Sequence, residues 1–419
     1  MDQTYAVLSL VMLVAAILLG FWRKINMGVI AIVFALILAR LGGIKDGAVI
    51  GTFGTQLFIR LLGVMLLFSI AQCNGTIEKI TRKVAALSSN TVKFIPFIIF
   101  ILFWVISAVG AGGPPALALS ALITIPIAYQ LKISPLKLVP AAWWGGMGGV
   151  STMNIVGILA KSLGADIGVD VSLVTLSITT TIGMLILFIP WYIGSGWLKI
   201  KTDTAIVQEK TEPFTRGQIF TLLGIILLIF LSLVVKIDIG LAGFTCAFVL
   251  FIIPGVVEEK KAIASVPWGT LVMIGGMGML ISMAQMLGGI DLLSNALASV
   301  MTVNTAPGIL SVMGSLMSAV SSTTGVVMPT LIPTIPGIIE SIGGGDAQEL
   351  LYAITLGASQ TAVSPLSTGG ALAMAAYANI YKPTDEERSK VFVQLFIYAI
   401  ACGLIFAVLG LLGFYGILL

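Results

Sequence analysis

The sequence has no histidine, and only 10% of its residues are charged. Without histidine, the commonest metal ligand and the usual proton shuttle are missing. A soluble domain carries about 25% Asp, Glu, Lys and Arg. A chain with 10% charged and 58% hydrophobic residues is instead expected to be an all-α polytopic membrane protein. Cysteine is scarce too: Cys73, Cys246 and Cys402 are isolated in or beside apolar runs and read as small packing residues. No transition-metal centre, organic cofactor or nucleic-acid partner is expected. The start, Met1-Asp2-Gln3-Thr4-Tyr5, lacks a basic region, so no cleavable signal peptide is expected either.

What the chain does have is long apolar runs. Spans are expected near 5–22, 27–43, 51–73, 138–160 and 171–197, then 217–235, 238–256, 268–288, 350–378 and 391–417. Two further apolar regions, about 94–131 and 306–343, are too long for one span and too interrupted for two. In the first, arms of roughly 16 residues flank Gly110-Ala-Gly-Gly-Pro-Pro115. Such an arm covers only ~24 Å, short of the ~30 Å hydrocarbon core. Re-entrant hairpins fit best.

Lysine and arginine test that scheme. Suppose the N-terminus is outside and each hairpin returns to the side it enters from. Arg23, Lys24, Lys79, Arg82, Lys83, Lys93, Lys132, Lys137 and nine later basic residues then fall on the cytoplasmic side, 17 of the 22. Outside lie only Lys45, Lys161 and Lys236, while Arg40 and Arg60 fall within spans. Both termini are then outside a cytoplasmic (inner) membrane. Arg60 reads as packing or snorkelling.

The chain also repeats. Lys24-Ile-Asn-Met-Gly28 recurs as Lys236-Ile-Asp-Ile-Gly240, offset by 212. Ser69-Ile-Ala-Gln72 recurs as Ser282-Met-Ala-Gln285 and Val150-Ser151 as Val363-Ser364, both offset by 213. Ser107-Ala-Val109 recurs as Ser318-Ala-Val320. Two inverted repeats of five spans plus one re-entrant helical hairpin each follow, over 1–198 and 217–419, joined by a cytoplasmic linker at 199–216. Thr384-Asp-Glu-Glu387 reads as a capping box. Ser89-Asn90-Thr91 reads as a helix cap. Asn74-Gly-Thr76 fits a glycosylation sequon on a side where that chemistry is absent.

Four elements are expected to converge: the two hairpin tips and the broken spans after them, Gly145–Asn154 and Gly357–Gly370. Half-helix N-termini there offer N–H groups to an anion. Freed carbonyls and Ser, Thr and Asn oxygens suit a hard cation. Candidate substrate-binding residues are Gly112, Gly113, Asn154, Ser321, Ser322, Thr323, Thr324, Ser367 and Thr368. Candidate sodium-binding residues are Gly110, Ser151, Thr152, Ser321, Thr361 and Ser364. Neither tip nor either broken segment carries Asp, Glu, Lys or Arg, which favours coupling by a bound cation over a proton relay.

The stretch Trp22-Arg-Lys-Ile-Asn-Met-Gly-Val-Ile-Ala-Ile-Val-Phe-Ala-Leu-Ile-Leu38 resembles the start of the MatC-type dicarboxylate (malonate) carriers. The paired hairpins and broken spans resemble the wider ion transporter superfamily, including the divalent-anion:sodium symporters. That resemblance implies a homodimer with a scaffold and a moving transport domain, working by an elevator mechanism. It also implies a C4-type or malonate-like dicarboxylate between the tips, with Na+ beside it. Ser321-Ser322-Thr323 resembles the symporters' Ser-Asn-Thr tip motif, whereas Ala111-Gly112-Gly113-Pro114-Pro115 has lost its side chains. The expectation is a sodium-coupled secondary carrier in contact with membrane lipid. Alternatives are a cation/proton antiporter or metalloid/anion exporter on the same fold and, remotely, an intramembrane enzyme.

Overall fold

A computed structural model describes residues 3–23, 25–87, 92–112, 114–199 and 212–419. Gly113, Ser89-Asn90-Thr91 and residues 200–211 of the linker lie outside the described residues. All regular structure among the described residues is helical.

The first half runs through α1 (Gln3–Arg23), α2 (Met27–Leu41), α3 (Asp46–Gly51), α4 (Thr55–Cys73) and α5 (Thr76–Leu87). It continues with α6 (Ile95–Ile106), α7 (Pro114–Gln130), α8 (Val139–Gly148), α9 (Ile155–Asp166) and α10 (Leu173–Gly194). The second half opens with α11 (Arg216–Leu233), α12 (Ile239–Ile252), α13 (Glu259–Ala264), α14 (Trp268–Met286) and α15 (Gly289–Ala298). It closes with α16 (Ala306–Val320), α17 (Met328–Leu331), α18 (Ile335–Ile342), α19 (Ala347–Gln360), α20 (Thr368–Tyr381) and α21 (Asp385–Leu411).

Element for element, the second half restates the first, with one arm cut in two. That arm carries Pro329, Pro333 and Pro336, which interrupt the α-helical ladder, so α17 and α18 are separated by a 3-10 turn at Ile332–Thr334. Local capping repeats as well. The Asn26 side chain accepts from Gly28 N–H at 2.9 Å to start α2, and Asp238 accepts from Gly240 N–H at 2.9 Å to start α12. The capping box at Thr384 and Glu387 starts α21 as read from the sequence.

The tertiary packing is reciprocal. Helix α2 packs on α14 while α4 packs on α12, and α6 packs on α8 while α16 packs on α19. Glycine sets the first two crossings. A Cβ on Gly63 would collide with the Gly240 carbonyl, and one on Gly276 would collide with the Gly28 carbonyl. Small residues at such crossings let backbones meet where lipid supplies no hydrophobic drive.

Among the described residues seven helical stretches are long and apolar enough to cross a membrane: Gln3–Gly20, Thr55–Cys73, Val92–Gly110, Leu173–Gly194, Trp268–Met286, Thr323–Ile342 and Asp385–Leu411. Shorter apolar helices include Met27–Leu41 and Ile239–Ile252. Large apolar side chains face outward on α2, α11 and α21, including Ile32, Ile226 and Leu404, as lipid contact requires. The structure differs from the sequence-based expectations at several points. The run 51–73 is interrupted at 52–54, so α4 begins at Thr55. The amphipathic helices α5 and α15 were not foreseen, because their polar faces break the apolar run. Of the cysteines, Cys246 and Cys402 are buried, but Cys73 is exposed, 3.1 Å from Ser265 Oγ.

Arg60 is neither a snorkelling nor a bare packing residue. Its Nε donates to Asp238 Oδ2 at 2.7 Å, bridging α4 to the start of α12.

Candidate functional site

Both apolar regions that the sequence marks as interrupted break at the expected place. After α6 the chain makes a π-turn at Ser107–Ala111, with Gly110 at φ 106°, and Gly112 is extended. In the left-handed region a side chain is strained, and a Cβ at Gly110 would also press on the Phe68 ring and the Met153 carbonyl. After α16 the chain is extended at Ser321 and Ser322, then makes a π-turn at Thr323–Val327. The two broken spans break too, over 149–154 between α8 and α9 and over 361–367 between α19 and α20.

Equivalent hydroxyls tie one break to the turn after α6 and the other to the end of α16. Ser151 Oγ donates to the Ala108 carbonyl, and Ser364 Oγ donates to the Ala319 carbonyl at 2.7 Å. Each also accepts from the backbone two residues on, Met153 N–H at 3.1 Å and Leu366 N–H at 3.3 Å. The half-helices that follow are capped in the same way. Asn154 accepts from Val156 N–H at 2.7 Å to start α9, and Ser367 accepts from Gly370 N–H at 3.4 Å to start α20. Carbonyls and hydroxyls that a continuous helix would use internally are thereby gathered at the breaks.

The tips differ. At the first, the buried Asn154 amide reaches back across 47 residues to Ser107, with Nδ2 at 2.7 Å from its Oγ and 3.3 Å from its carbonyl. Gly112 lies against that amide, and a Cβ there would collide with Asn154 Nδ2 and crowd Ser107 Oγ. At the second, Ser318 Oγ meets Thr323 Oγ1 at 2.7 Å, and Thr323 donates onward to the Ala358 carbonyl at 3.0 Å.

The halves meet here. Helix α9 lies beside the second π-turn, α8 beside the 3-10 turn Thr361–Val363, and α7 packs along α20. Gly110, Gly112, Ser151 and Asn154 come together with Ser107, and Thr152 lies in the same break. Thr323, Thr361, Ser364 and Ser367 gather at the second break with Ser318, and Ser321, Ser322 and Thr324 lie on the adjoining turn. Within that second cluster the hydroxyls are unequal. Ser321 back-bonds to the Met317 carbonyl of its own helix, and Ser322 accepts from Gly325 N–H at 3.1 Å to cap the second arm. Thr361 donates to the Ala358 carbonyl at 3.1 Å. Thr368 opens α20, but its side chain is not among those described.

Three participants escaped the sequence reading. Ser107 and Ser318 were visible as a shared lead-in, yet nothing in the spacing said that their hydroxyls anchor the tips. Gln360 is fully buried, with Nε2 at 2.7 Å from Ser315 Oγ and 2.6 Å from the Gly357 carbonyl, while Oε1 has no partner among the described residues. It ends α19 next to the break.

No curated protein matches this sequence. Among solved structures the chain is similar to the Alcanivorax borkumensis YdaH transporter, whose crystal structure is described as having an unusual topology. The TM-score is 0.51 at 13% identity, over 88% of this chain and 86% of that one, so the likeness is one of fold. The sequence comparison is narrower and bears out the resemblance read from Trp22–Leu38: residues 3–150, from α1 into the break after α8, match the family model described as the N-terminus of dicarboxylate carrier protein MatC.

Proposed function

We propose that the chain is a secondary active transporter for a small organic dianion, a C4-dicarboxylate or malonate-like molecule, coupled to Na+. The two halves are read as inverted repeats, with α6–α7 and α16–α18 as re-entrant hairpins entering from opposite sides. Both termini are read as outside the inner membrane. The observation that carries this reading is the matched pair of bonds from Ser151 to Ala108 and from Ser364 to Ala319. They fasten two capped half-helices to two hairpin tips at equivalent points. Inverted-repeat carriers bind near such discontinuous helices, where N-termini face anionic groups and unwound carbonyls take the cation.

In this reading the N-terminal ends of α9 and α20 take the two carboxylates. Thr361, Ser364 and the carbonyls of the second break take one Na+, and Ser151, Gly110 and the first break take the other. With no ionisable side chain at either tip, bound cations compensate the charge of the dianion. An elevator movement of the tips and broken spans against α2, α4, α12 and α14, in a homodimer, would expose the site alternately. The family match over residues 3–150 supports a dicarboxylate as cargo.

Uptake into proteoliposomes tests this. Malonate, succinate, malate, citrate and sulfate would be compared with inward Na+, inward K+ and no gradient. Faster uptake of one dicarboxylate with the Na+ gradient is expected. Uptake driven equally by K+, or by a pH gradient alone, would overturn sodium coupling. No uptake of any dicarboxylate by reconstituted protein that binds Na+ would overturn the cargo.

A further inference from the structure

A cavity of about 540 Å3 lies away from the tips, where the C-terminal ends of α7 and α20 come together. Tyr129, Tyr377 and Tyr381 line it with Lys132 and Ser134. The Tyr129 and Tyr381 rings meet edge-on at 5.1 Å, and those of Tyr377 and Tyr381 lie 5.0 Å apart. The Tyr381 hydroxyl donates to the Ile133 carbonyl at 2.9 Å, which joins the two helix ends across the halves. Among the described residues the Tyr129 and Tyr377 hydroxyls have no hydrogen-bond partner, which leaves them as donors to an occupant.

The backbone supplies a second, independent observation. Among the described residues fourteen adopt positive φ: eleven are glycine, and the other three, Lys132, Lys236 and Lys382, are all lysine. Lys132 (φ 53°) follows α7 and Lys382 (φ 46°) follows α20, so both helices that build the cavity end this way. Glycine would sit there without strain, and a strained residue that persists points to the work of its side chain. A cation is welcome at a helix C-terminus, and Lys236, after α11, shares that benefit. Lys132 forms no ion pair among the described residues. The nearby Glu387 carboxylate is bonded by Thr384 N–H at 2.8 Å.

We propose that this cavity holds the head-group phosphate of an anionic phospholipid. The Lys132 ammonium and the Tyr129 and Tyr377 hydroxyls would engage the phosphate oxygens, with Ser134 within reach of the glycerol. The tyrosine rings, Pro135 and Val391 would flank the glycerol backbone and first acyl carbons. A free, hydrated phosphate gains little from such apolar walls, whereas a lipid arriving from the bilayer fits both parts. Tyr and Lys are also the side chains that suit the membrane–water interface. Occupancy would staple α7 of the first half to α20 of the second. The assignment rests on membrane embedding and not on what the protein carries.

The test uses the full chain in detergent, with thermal unfolding and native mass spectrometry as readouts. Phosphatidylglycerol, phosphatidylcholine of the same acyl chains and soluble glycerol phosphate are the probes. Phosphatidylglycerol is expected to raise the midpoint by several degrees and to survive as a bound adduct, while the other two do neither. Lys132→Gly should unfold no earlier than wild type without lipid, because its backbone is relaxed, yet lose most of the phosphatidylglycerol shift and the adduct. Lys236→Gly should keep both. A full shift in Lys132→Gly, or an equal shift with phosphatidylcholine, would overturn the proposal. An equal response to glycerol phosphate would overturn the lipid in favour of a soluble anion.

Discussion

The turn after α6 and the turn after α16 solve one problem with different side chains. In each, the lead-in serine is held by a polar atom at 2.7 Å: Ser107 by the Asn154 amide, Ser318 by the Thr323 hydroxyl. The first clasp is delivered from the broken span, the second from within the tip itself. Ala111 to Pro115 looks bare in the sequence, but the tip is not bare in space, because Asn154 stands where a tip side chain would be. Gly112 is glycine for that reason: the room its side chain would need is occupied. The halves therefore share the position of their polar groups more closely than they share residue types.

The largest effect should come from breaking the first clasp by crowding it. Gly112→Ala forces a Cβ into Asn154, and overpacking of a close contact costs ~1–3 kcal/mol. Initial uptake in proteoliposomes should fall by about tenfold or more, since ~1.4 kcal/mol is a factor of ten. Asn154→Ser alone removes the reach to Ser107 and should also fall well below wild type. The double change Gly112→Thr/Asn154→Ser copies the second clasp into the first half and should exceed Gly112→Ala. A double variant no better than the worse single one would show that the tips are not interchangeable.

Next in size is the direct contrast of Asn154→Ala with Thr323→Ala. Asn154 holds Ser107 and also caps α9, whereas Thr323 holds Ser318 and the Ala358 carbonyl but caps nothing. Losing a cap costs ~1 kcal/mol, and losing a hydrogen bond costs about as much again. Asn154→Ala should thus lower the unfolding midpoint more than Thr323→Ala, with both reducing uptake. The reverse order would place the weight of the site in the second half.

Smaller still, and matched, should be Ser151→Ala and Ser364→Ala. Each removes one inter-element bond of ~1 kcal/mol, so each should slow uptake by roughly fivefold. Their stability effects should add within ~0.5 kcal/mol if the ties are independent. A clear departure from additivity would mean that the two ties are coupled through a shared set of ligands. Measuring Na+ dependence in each single variant sharpens the comparison, because the two serines are proposed to serve different ions.

Much of this arrangement could be read from the chain, and the reasons are specific. The repeats of Lys24–Gly28 at Lys236–Gly240 and of Val150-Ser151 at Val363-Ser364 marked equivalent caps and equivalent ties, because capping and backbone ties depend on local residue type. Broken spans were visible through glycine and proline, which alter the backbone wherever they stand. Long-range exchanges were not visible. Nothing local in Asn154 says that its amide points 47 residues back to Ser107. The Gln360 carboxamide looks like one more residue of a helix end until its burial beside Ser315 is known. Both are facts of tertiary contact, and a one-dimensional offset is blind to which of two partners carries the side chain.

The smallest expected effect lies outside the tips, where the halves also differ in kind. Asp238 and Asn26 occupy equivalent caps. Asp238 takes an ion pair from Arg60 at 2.7 Å, while Asn26 donates to the Gly269 carbonyl at 2.7 Å. Arg60 corresponds by the 213 offset to Met273, so the second half has no charge at that point. Either Arg60→Met or Asp238→Asn alone leaves a charge without its partner, and both should lower the unfolding midpoint. The pair is still 35% and 32% exposed, so its worth falls toward the ~0.2–1 kcal/mol of solvated pairs rather than the several of a buried one. The double variant makes the α4–α12 contact resemble the α14–α2 contact and should return close to wild type, with near-normal uptake. A double variant less stable than either single one would mean that each charge has a separate partner, and that the bridge between α4 and α12 is incidental.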